Sequence, residues 1–374
     1  MKTLRRLIYG EICKAVGFVL LAFLSLFLFF DLVDELPALG RASPLDPQQV
    51  YGLNDALLYV LLLVPSRVYE LMPIAVLIGS VFVLARFAQS SEFTILRTSG
   101  LGPGRALRAL LLLGAGFVAL TFVVGDHLAP VSDRAAQLLK AEFQGRISVG
   151  RTGAWLKERR QDMQYAINIG AMDAKGQMQD VRIFSIDSSG QVVSMLQARS
   201  GQAGAAGEDW LLQDVREQRL QAAQGQRPPT WTLNEMTQTA WRTELSAGMV
   251  SVALLKPERM GTFGLLAYIR HLQANNQTAQ RYEIEFWRKL FYPLSCLVMV
   301  VLALPFAYLQ LRSGGVAGYV FLGVMVGISF FLLNNVFGYI GNLRAWQPWL
   351  AAAAPSLLYS VLSLGAFGWL VFRR

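Results

Sequence analysis

The chain has 374 residues, of which 54% are hydrophobic and only 16% are charged. Soluble chains average about a quarter charged residues, so this composition excludes an ordinary soluble domain and indicates a protein embedded in a membrane. The formal net charge of +9 would suit nucleic-acid binding, but the basic residues flank apolar runs, which is typical of membrane topology.

Apolar stretches lie at both ends of the chain and leave a mostly polar middle. A bilayer core needs about 20 apolar residues per helix. Six stretches meet this length once their flanking residues are included: residues 12–34, 66–87, 105–126, 286–310, 316–341 and 348–371. They predict a polytopic α-helical membrane protein with six transmembrane helices in a 3+3 arrangement and an inserted domain. The predicted domains are residues 1–126, 127–285 and 286–374, with a helical linker at 260–285.

The first predicted span follows a basic start and should remain in the protein. No small-x-small cleavage site comes after it, so we expect a signal-anchor helix. Basic residues concentrate at the amino terminus, in the loop after the second span and at the chain's end, whereas Arg41 is the only base in the loop after the first span. By the positive-inside rule both termini are expected in the cytoplasm and the inserted domain on the far side.

The loop after the second span contains a short amphipathic segment at residues 90–100. Ser90 or Ser91 can cap a helix, Glu92 suits its first turn, and Gly100 can end it. Such a helix could lie along the membrane, or it could insert into a groove on a cytoplasmic partner. The pattern is compatible with both.

In the middle of the chain the apolar residues alternate with polar ones. Residues 164–169, 181–186 and 231–236 show this period of two, which predicts about eight to ten short antiparallel strands in an all-β, β-jellyroll-like or sandwich domain. The apolar face could form a closed core or line an open interior that holds acyl chains. Candidates for such a lipid path are Tyr165, Ile167, Ile169, Ile183 and Phe184.

Motifs for catalysis, metal binding or nucleotide binding are not found in the sequence. It lacks a Walker A loop, H-E-x-x-H and C-x-x-C, and it has only two histidines, His127 and His271. Charged residues are sparse within the predicted spans, which argues against an ion relay. We therefore predict no catalytic residue, no metal site and no cofactor bound by this chain. If it moves a substrate uphill, a partner must supply the energy.

Four segments resemble the YjgP/YjgQ (LptF/LptG) permease family, and the resemblance extends over essentially the whole chain. They are Ser-Glu-Phe-Thr-Ile-Leu-Arg-Thr-Ser-Gly at 91–100, Ala-Pro at 129–130, the run 268–272 that continues through 281–294, and Gly-Ile-Ser-Phe at 327–330. The resemblance implies a permease subunit of an ABC transporter. Such a subunit extracts lipopolysaccharide from the periplasmic leaflet of the inner membrane and passes it to a periplasmic bridge.

The resemblance also implies partners. These are an LptF-like permease in a heterodimer, an LptB-like ATPase dimer that uses ATP and Mg, and an LptC-like single-helix periplasmic protein. The central domain would be a periplasmic β-jellyroll. Alternatives are an ABC permease for another lipid or lipoprotein, a non-transporting assembly factor, or a lipid-modifying membrane enzyme, which the absence of a catalytic motif disfavours.

Site residues follow from the same resemblance. The residues expected to couple to the ATPase are Glu92, Phe93, Ile95, Leu96, Ser99 and Gly100. Helices one and five would line the lipid cavity, with aromatic candidates Phe23, Phe27, Phe30, Phe321, Phe330 and Phe331. The family often has a basic cluster after helix one, but this chain has only Arg41 there. Candidates for the head group are therefore Asp31 and Asp34 through a bridging divalent ion, and Arg41, Arg67, Arg134, Arg288 or Lys289.

Overall fold

The computed structural model describes residues 2–43, 49–90, 102–144, 153–160, 163–172, 176–202, 209–221, 230–245, 249–250, 257–308 and 316–372. The chain divides into two compact units. The membrane unit comprises Met1–Asp34, Val60–Ser132 and Gln280–Arg374, and the sheet unit comprises Glu35–Tyr59 and Asp133–Ala279. Each unit is therefore built from segments that are distant in the sequence.

Long apolar helices make up the membrane unit. In chain order the helices that begin or end in it are α1 (Lys2–Glu35), α2 (Leu53–Gln89), α3 (Pro103–Val123), a π-helical turn (Val124–Leu128), α4 (Ala129–Gln144), α6 (Gln280–Phe291), α7 (Ser295–Ala303), α8 (Val316–Leu343) and α9 (Pro348–Phe372). Among the described residues five helices are long and apolar enough to span a bilayer, or six if α6 and the segment Ser295–Ala307 form one bent span.

Two spans differ from their predicted form. The predicted span 286–310 is bent by 46° between α6 and Ser295–Ala307, at a break that contains Pro293, which cannot donate a backbone hydrogen bond. Conversely, α2 runs through Pro65 and Pro73 without ending. Neighbouring helices satisfy the backbone groups that proline frees inside a membrane, so these prolines do not set a helix boundary.

The core of the membrane unit is centred on α2. In its most apolar stretch 83% of the residues are buried, against 6% for the corresponding stretch of α1 and 17% for α8. Phe87, Leu77 and Leu84 of α2 pack with Met299 and Val300 of α7, all at most 2% exposed. Helices α1 and α8 thus present large apolar faces that the described residues do not cover.

The sheet unit contains one antiparallel sheet of six strands in chain order. The strands are β1 (Ala154–Arg160), β2 (Met163–Met172), β3 (Gln177–Ile186), β4 (Val192–Gln202), β5 (Trp210–Gln221) and β6 (Thr230–Trp241). Among the described residues they are fewer and longer than the eight to ten short strands expected, and they form a meander with no jellyroll crossover.

Backbone irregularities explain why the sequence suggested shorter strands. Asp180 and Asp214 have positive φ, 50° and 49°, a conformation that aspartate tolerates better than most residues. On the two sides of each aspartate the nearest buried residues are three positions apart. They are Met178 and Val181 around Asp180, and Leu212 and Val215 around Asp214, all at most 1% exposed. A simple period of two breaks at such points although the strand continues.

The sheet curls so that its first strands meet the end of its last strand. The Tyr165 ring lies 5.8 Å from the Trp241 ring, and the Arg160 guanidinium lies over both, 4.4 Å and 5.0 Å from their centroids. The buried Glu158 carboxylate accepts hydrogen bonds from the Thr243 hydroxyl at 2.8 Å and the Glu244 amide at 2.9 Å. Helix α5 (Thr262–Ala274) adds an apolar stripe of Leu265, Tyr268, Ile269 and Leu272.

Candidate functional site

An arginine cluster joins α1 to α2. Arg67 Nε and Nη2 donate to the two carboxylate oxygens of Asp31, at 2.9 Å and 2.6 Å, and Nη1 donates to Glu70 at 3.1 Å. The guanidinium also lies 5.4 Å from the centre of the Phe27 ring. The pairing of Arg67 with Glu70 follows from their i,i+3 spacing on one helix, whereas the pairing with Asp31 comes only from the packing of the two helices.

The arginine cluster (Asp31, Arg67 and Glu70) holds one positive and two negative groups. An anionic head group that approaches Arg67 must therefore compete with Asp31. Both carboxylate oxygens of Asp31 bind Arg67, so an ion bridged by Asp31 and Asp34 would have to compete with the guanidinium. Arg41 and Arg134 are exposed and belong to the sheet unit.

The six aromatic candidates do not share one environment. On α1, Phe30 is 56% exposed and Phe23 and Phe27 are half-buried, and on α8 Phe321 and Phe331 are 66% and 40% exposed. Phe330 is only 1% exposed and its ring lies edge-on to Tyr359 at 5.2 Å. Phe330 is therefore a core residue in this structure, and the other candidates lie on faces that a lipid can reach.

The two adjacent bases of α6 are engaged within the membrane unit. Arg288 pairs with Glu285 at 2.7 Å and donates to the Asn334 carbonyl at 2.8 Å and the Asn335 side chain at 3.2 Å. Lys289, 7% exposed, donates to the Gly125 carbonyl at 3.2 Å. Both side chains therefore hold helices together, which makes them weaker candidates for a lipid phosphate than Arg41 or Arg134.

Sequence reasoning missed the packing around Gly125. It lies in the π-helical turn, where the hydrogen-bond pattern changes, and its carbonyl receives Lys289. The Tyr69 ring fills the space where a side chain would begin, because a Cβ on Gly125 would lie 2.2 Å from Tyr69 Cδ2. The Gly-Asp-His-Leu run at 125–128 gave no signal of this contact, since it depends on residues far away in the sequence.

The candidates for a lipid path in the sheet lie on two opposite faces. Ile167, Ile169 and Ile183 are at most 1% exposed in the sheet core, and Tyr165 is on the same face. Phe184 is on the other face, stacked on Trp155 with ring centres 6.0 Å apart. By the cross-strand register, Met195 of β4 lies on the same face as Phe184. On β6 this face includes Leu233, which is 57% exposed.

His271 of α5 has a pKa that the fold perturbs. Burial lowers the pKa of His271 from its ordinary value, and the nearby carboxylates of Glu158 and Glu244 oppose this effect. Its ring stacks on Tyr268 with centres 6.2 Å apart. His271 is therefore neutral in the folded chain at pH values where an unfolded chain would begin to bind a proton there.

Acidification is expected to loosen α5. Because the unfolded state binds the proton more tightly, stability conferred by neutral His271 is present above the unfolded pKa of about 6.5 and is lost as the pH falls below it. Hydrogen exchange of α5 peptides in the full-length protein should be faster at pH 5.5 than at 7.5, after correction for intrinsic exchange. His271→Gln should remove the difference and His127→Gln, at an exposed position, should not. Equal pH dependence in both variants would contradict the assignment.

The segment expected to couple to an ATPase lies outside the described residues. Helix α2 ends at Gln89, the Ser90 hydroxyl donates to the Arg86 carbonyl at 3.0 Å, and α3 begins after Gly102. The roles of Glu92 and the residues that follow it therefore stay predictions.

Comparison with known proteins gives full-length matches. The family model described as lipopolysaccharide export system permease LptF/LptG matches residues 6–371. The Escherichia coli K12 protein named lipopolysaccharide export system permease protein LptG is 26% identical over 373 residues, which is 99% of this chain and 98% of that protein. The Haemophilus influenzae protein of the same name is 24% identical over 376 residues, 100% of this chain and 99% of that protein.

Proposed function

The chain belongs to the lipopolysaccharide export system permease LptF/LptG family, and we propose that it forms one half of a lipid extractor powered by a partner ATPase. It is an export permease subunit and not itself an enzyme. The match from residue 6 to residue 371 carries this conclusion, because it includes both groups of membrane helices and the inserted sheet. Two segments favour the LptG branch, Leu32–Leu36 and Trp287–Phe291, in agreement with the names of the relatives.

The proposed topology has three spans before the inserted domain and three after it. Helices α1, α2 and α3 form the first group, and the bent pair α6–α7, α8 and α9 form the second. The basic residues of the amino terminus and of the loop after α2 support a cytoplasmic location for both termini. For this chain, a protein of the bacterial inner membrane, we therefore propose that the sheet unit lies in the periplasm.

The lipid cavity is proposed to form between α1 and α8 and their counterparts in an LptF-like permease. The residues that the structure describes bury only 6% and 17% of the apolar stretches of these helices, and the aromatic residues Phe30, Phe321 and Phe331 are exposed. Aromatic and aliphatic surfaces suit acyl chains. Arg41 and Arg134 are exposed bases of the sheet unit and are proposed separately as phosphate-binding residues, because guanidinium binds phosphate in a bidentate manner.

The sheet unit is proposed to act as a jellyroll-like station that passes the lipid to an LptC-like protein. Its buried isoleucines fill the core, so the accessible apolar residues of the sheet are those on the Phe184 face. Tyr165, which is only half-buried, is the remaining candidate on the core face. ATP and Mg are proposed to bind only the LptB-like partner.

The experiment that tests coupling is charge reversal in the cytoplasmic loop. Glu92→Arg is expected to abolish lipopolysaccharide export and release the ATPase, because Glu92 is proposed to face a basic residue of the ATPase, which an arginine would repel. Export in cells and ATPase co-purification are measured together, with Glu92→Asp as the control that keeps the charge and both activities. Full export by the Glu92→Arg protein would disprove the coupling role. A co-purified lipid other than lipopolysaccharide would change the substrate.

A further inference from the structure

The two halves of α1 are held in different ways. In the first half Ile8, Ile12 and Val16 form a buried stripe at intervals of four residues, 5%, 0% and 3% exposed, and the Tyr9 hydroxyl donates to the Ala109 carbonyl at 2.7 Å. From residue 17 to residue 34 α1 has no buried residue. The second half is therefore attached by partly buried residues, among them Val19 and Leu20, and not by a fully buried stripe like that of the first half.

Two ion pairs join α1 to α2 at well-separated points along α1. Glu11 pairs with Arg86 at 2.6 Å and Asp31 pairs with Arg67 at 2.6 Å. The acidic partners are about 30 Å apart along α1, from the helical rise. The Glu11 pair supplements the buried stripe of the first half, whereas the Asp31 pair is the ion pair that the structure describes between residues 17–34 of α1 and α2.

We propose that the Asp31–Arg67 pair is a reversible latch that positions the second half of α1 against α2 and opens once in each transport cycle. Asp31 and Arg67 are positioning residues, since they act by placing the exposed aromatic face of α1. The inference rests on the proposed function only for the cycle that opens the latch.

Three features of the arginine cluster suit a pair that opens and closes. The two-point geometry of guanidinium and carboxylate fixes the closed position with directional hydrogen bonds. The side chains of Arg67 and Asp31 are 27% and 13% exposed, so separating the two side chains does not require opening a fully buried core. Glu70 lies on the same helix as Arg67 and also binds it, at 3.1 Å, so the guanidinium keeps a carboxylate partner when Asp31 moves away.

A distance measurement tests the latch in the complex purified with its ATPase and second permease. Spin labels are placed on cysteines at Leu26 of α1 and Leu61 of α2, which are 50% and 64% exposed. The exposed Cys13 is replaced by serine, and Cys296 is buried. The nucleotide-free wild-type complex should give one short distance, and the complex trapped with ATP and vanadate should give a longer one.

Charge variants test whether the Asp31–Arg67 pair causes this change in distance. Arg67→Asp should give the longer distance without nucleotide, and the swapped pair Asp31→Arg with Arg67→Asp should restore the short one. Arg86→Asp is the matched control at the other ion pair and should keep the short distance, since the buried stripe still holds the first half. If Arg67→Asp does not insert, Arg67→Gln should populate both distances.

Two results would overturn the latch. One is a short distance that persists in Arg67→Asp or Arg67→Gln, and the other is a swapped pair that fails to restore it. Export is measured in the same strains to keep the two proposals separate. Wild-type protein that shows the distance change without exporting lipopolysaccharide would refute the proposed function alone. Wild-type export with equal distances in every variant would refute the latch alone.

Discussion

Gly125→Ala is expected to destabilise the membrane unit strongly, although it adds only one methyl group. The new Cβ would lie 2.2 Å from Tyr69 Cδ2 and 2.4 Å from Cε2. The ring cannot easily retreat, because it packs against Tyr292 with centres 5.0 Å apart, and the Tyr292 hydroxyl is bound to the Glu70 carbonyl at 2.6 Å. Overpacking of this kind costs about 1–3 kcal/mol or more, and shifting the turn would also disturb the Lys289 bond.

Gly116→Ala on α3 is the matched control. A Cβ on Gly116 would meet nothing within 4 Å, so alanine there should stabilise the helix by about 0.5–1 kcal/mol. The two variants should therefore change the free energy of unfolding in opposite directions. Thermal unfolding of detergent-purified full-length protein measures both. Equal melting temperatures would show that Tyr69 does not limit the space at Gly125.

Trp210→Ala is expected to cause the largest loss of stability in the sheet unit. Trp210 is fully buried, its indole N–H donates to the Leu245 carbonyl at 2.8 Å, and its ring lies 5.4 Å from that of Trp241. Truncating a buried tryptophan costs about 3–5 kcal/mol. The lost hydrogen bond would also leave the Leu245 carbonyl without the indole donor and loosen the segment that follows β6.

Trp231→Ala provides the comparison on the neighbouring strand. Trp231 is 53% exposed on β6, so its truncation should cost less than about 1 kcal/mol. Limited proteolysis of the full-length protein should cleave the sheet unit much faster in Trp210→Ala than in Trp231→Ala or the wild type. Similar cleavage rates for the two variants would contradict the burial of Trp210.

The sheet shows which structural features the alternation of apolar and polar residues can predict. The alternating runs located parts of β2, β3 and β6 correctly, because a strand's side chains point to opposite faces in turn. The same rule implies that the adjacent residues Ile183 and Phe184 cannot share a face. Their location on opposite faces of the sheet could therefore be predicted from the sequence. The irregularities at Asp180 and Asp214 were not, because a positive φ at aspartate is set by the strands on either side.

Only part of the candidate site could be predicted from the sequence. The pairing of Arg67 with Glu70 follows from their spacing on one helix. The partner Asp31 is 36 residues away, and its choice depends on how α1 lies against α2. For the same reason the sequence could not separate Phe330, a core residue, from the exposed Phe331 beside it.

The membrane class, the approximate spans and the presence of an inserted sheet can be read from the sequence alone. These depend on local properties, since about 20 apolar residues suffice for a span and alternation suffices for a strand. The three-dimensional packing was needed to show which charges meet, which aromatic residues are buried and where the chain has no room for a side chain. Those outcomes depend on contacts between residues far apart in the chain, as when Lys289 reaches Gly125 and Asp31 reaches Arg67.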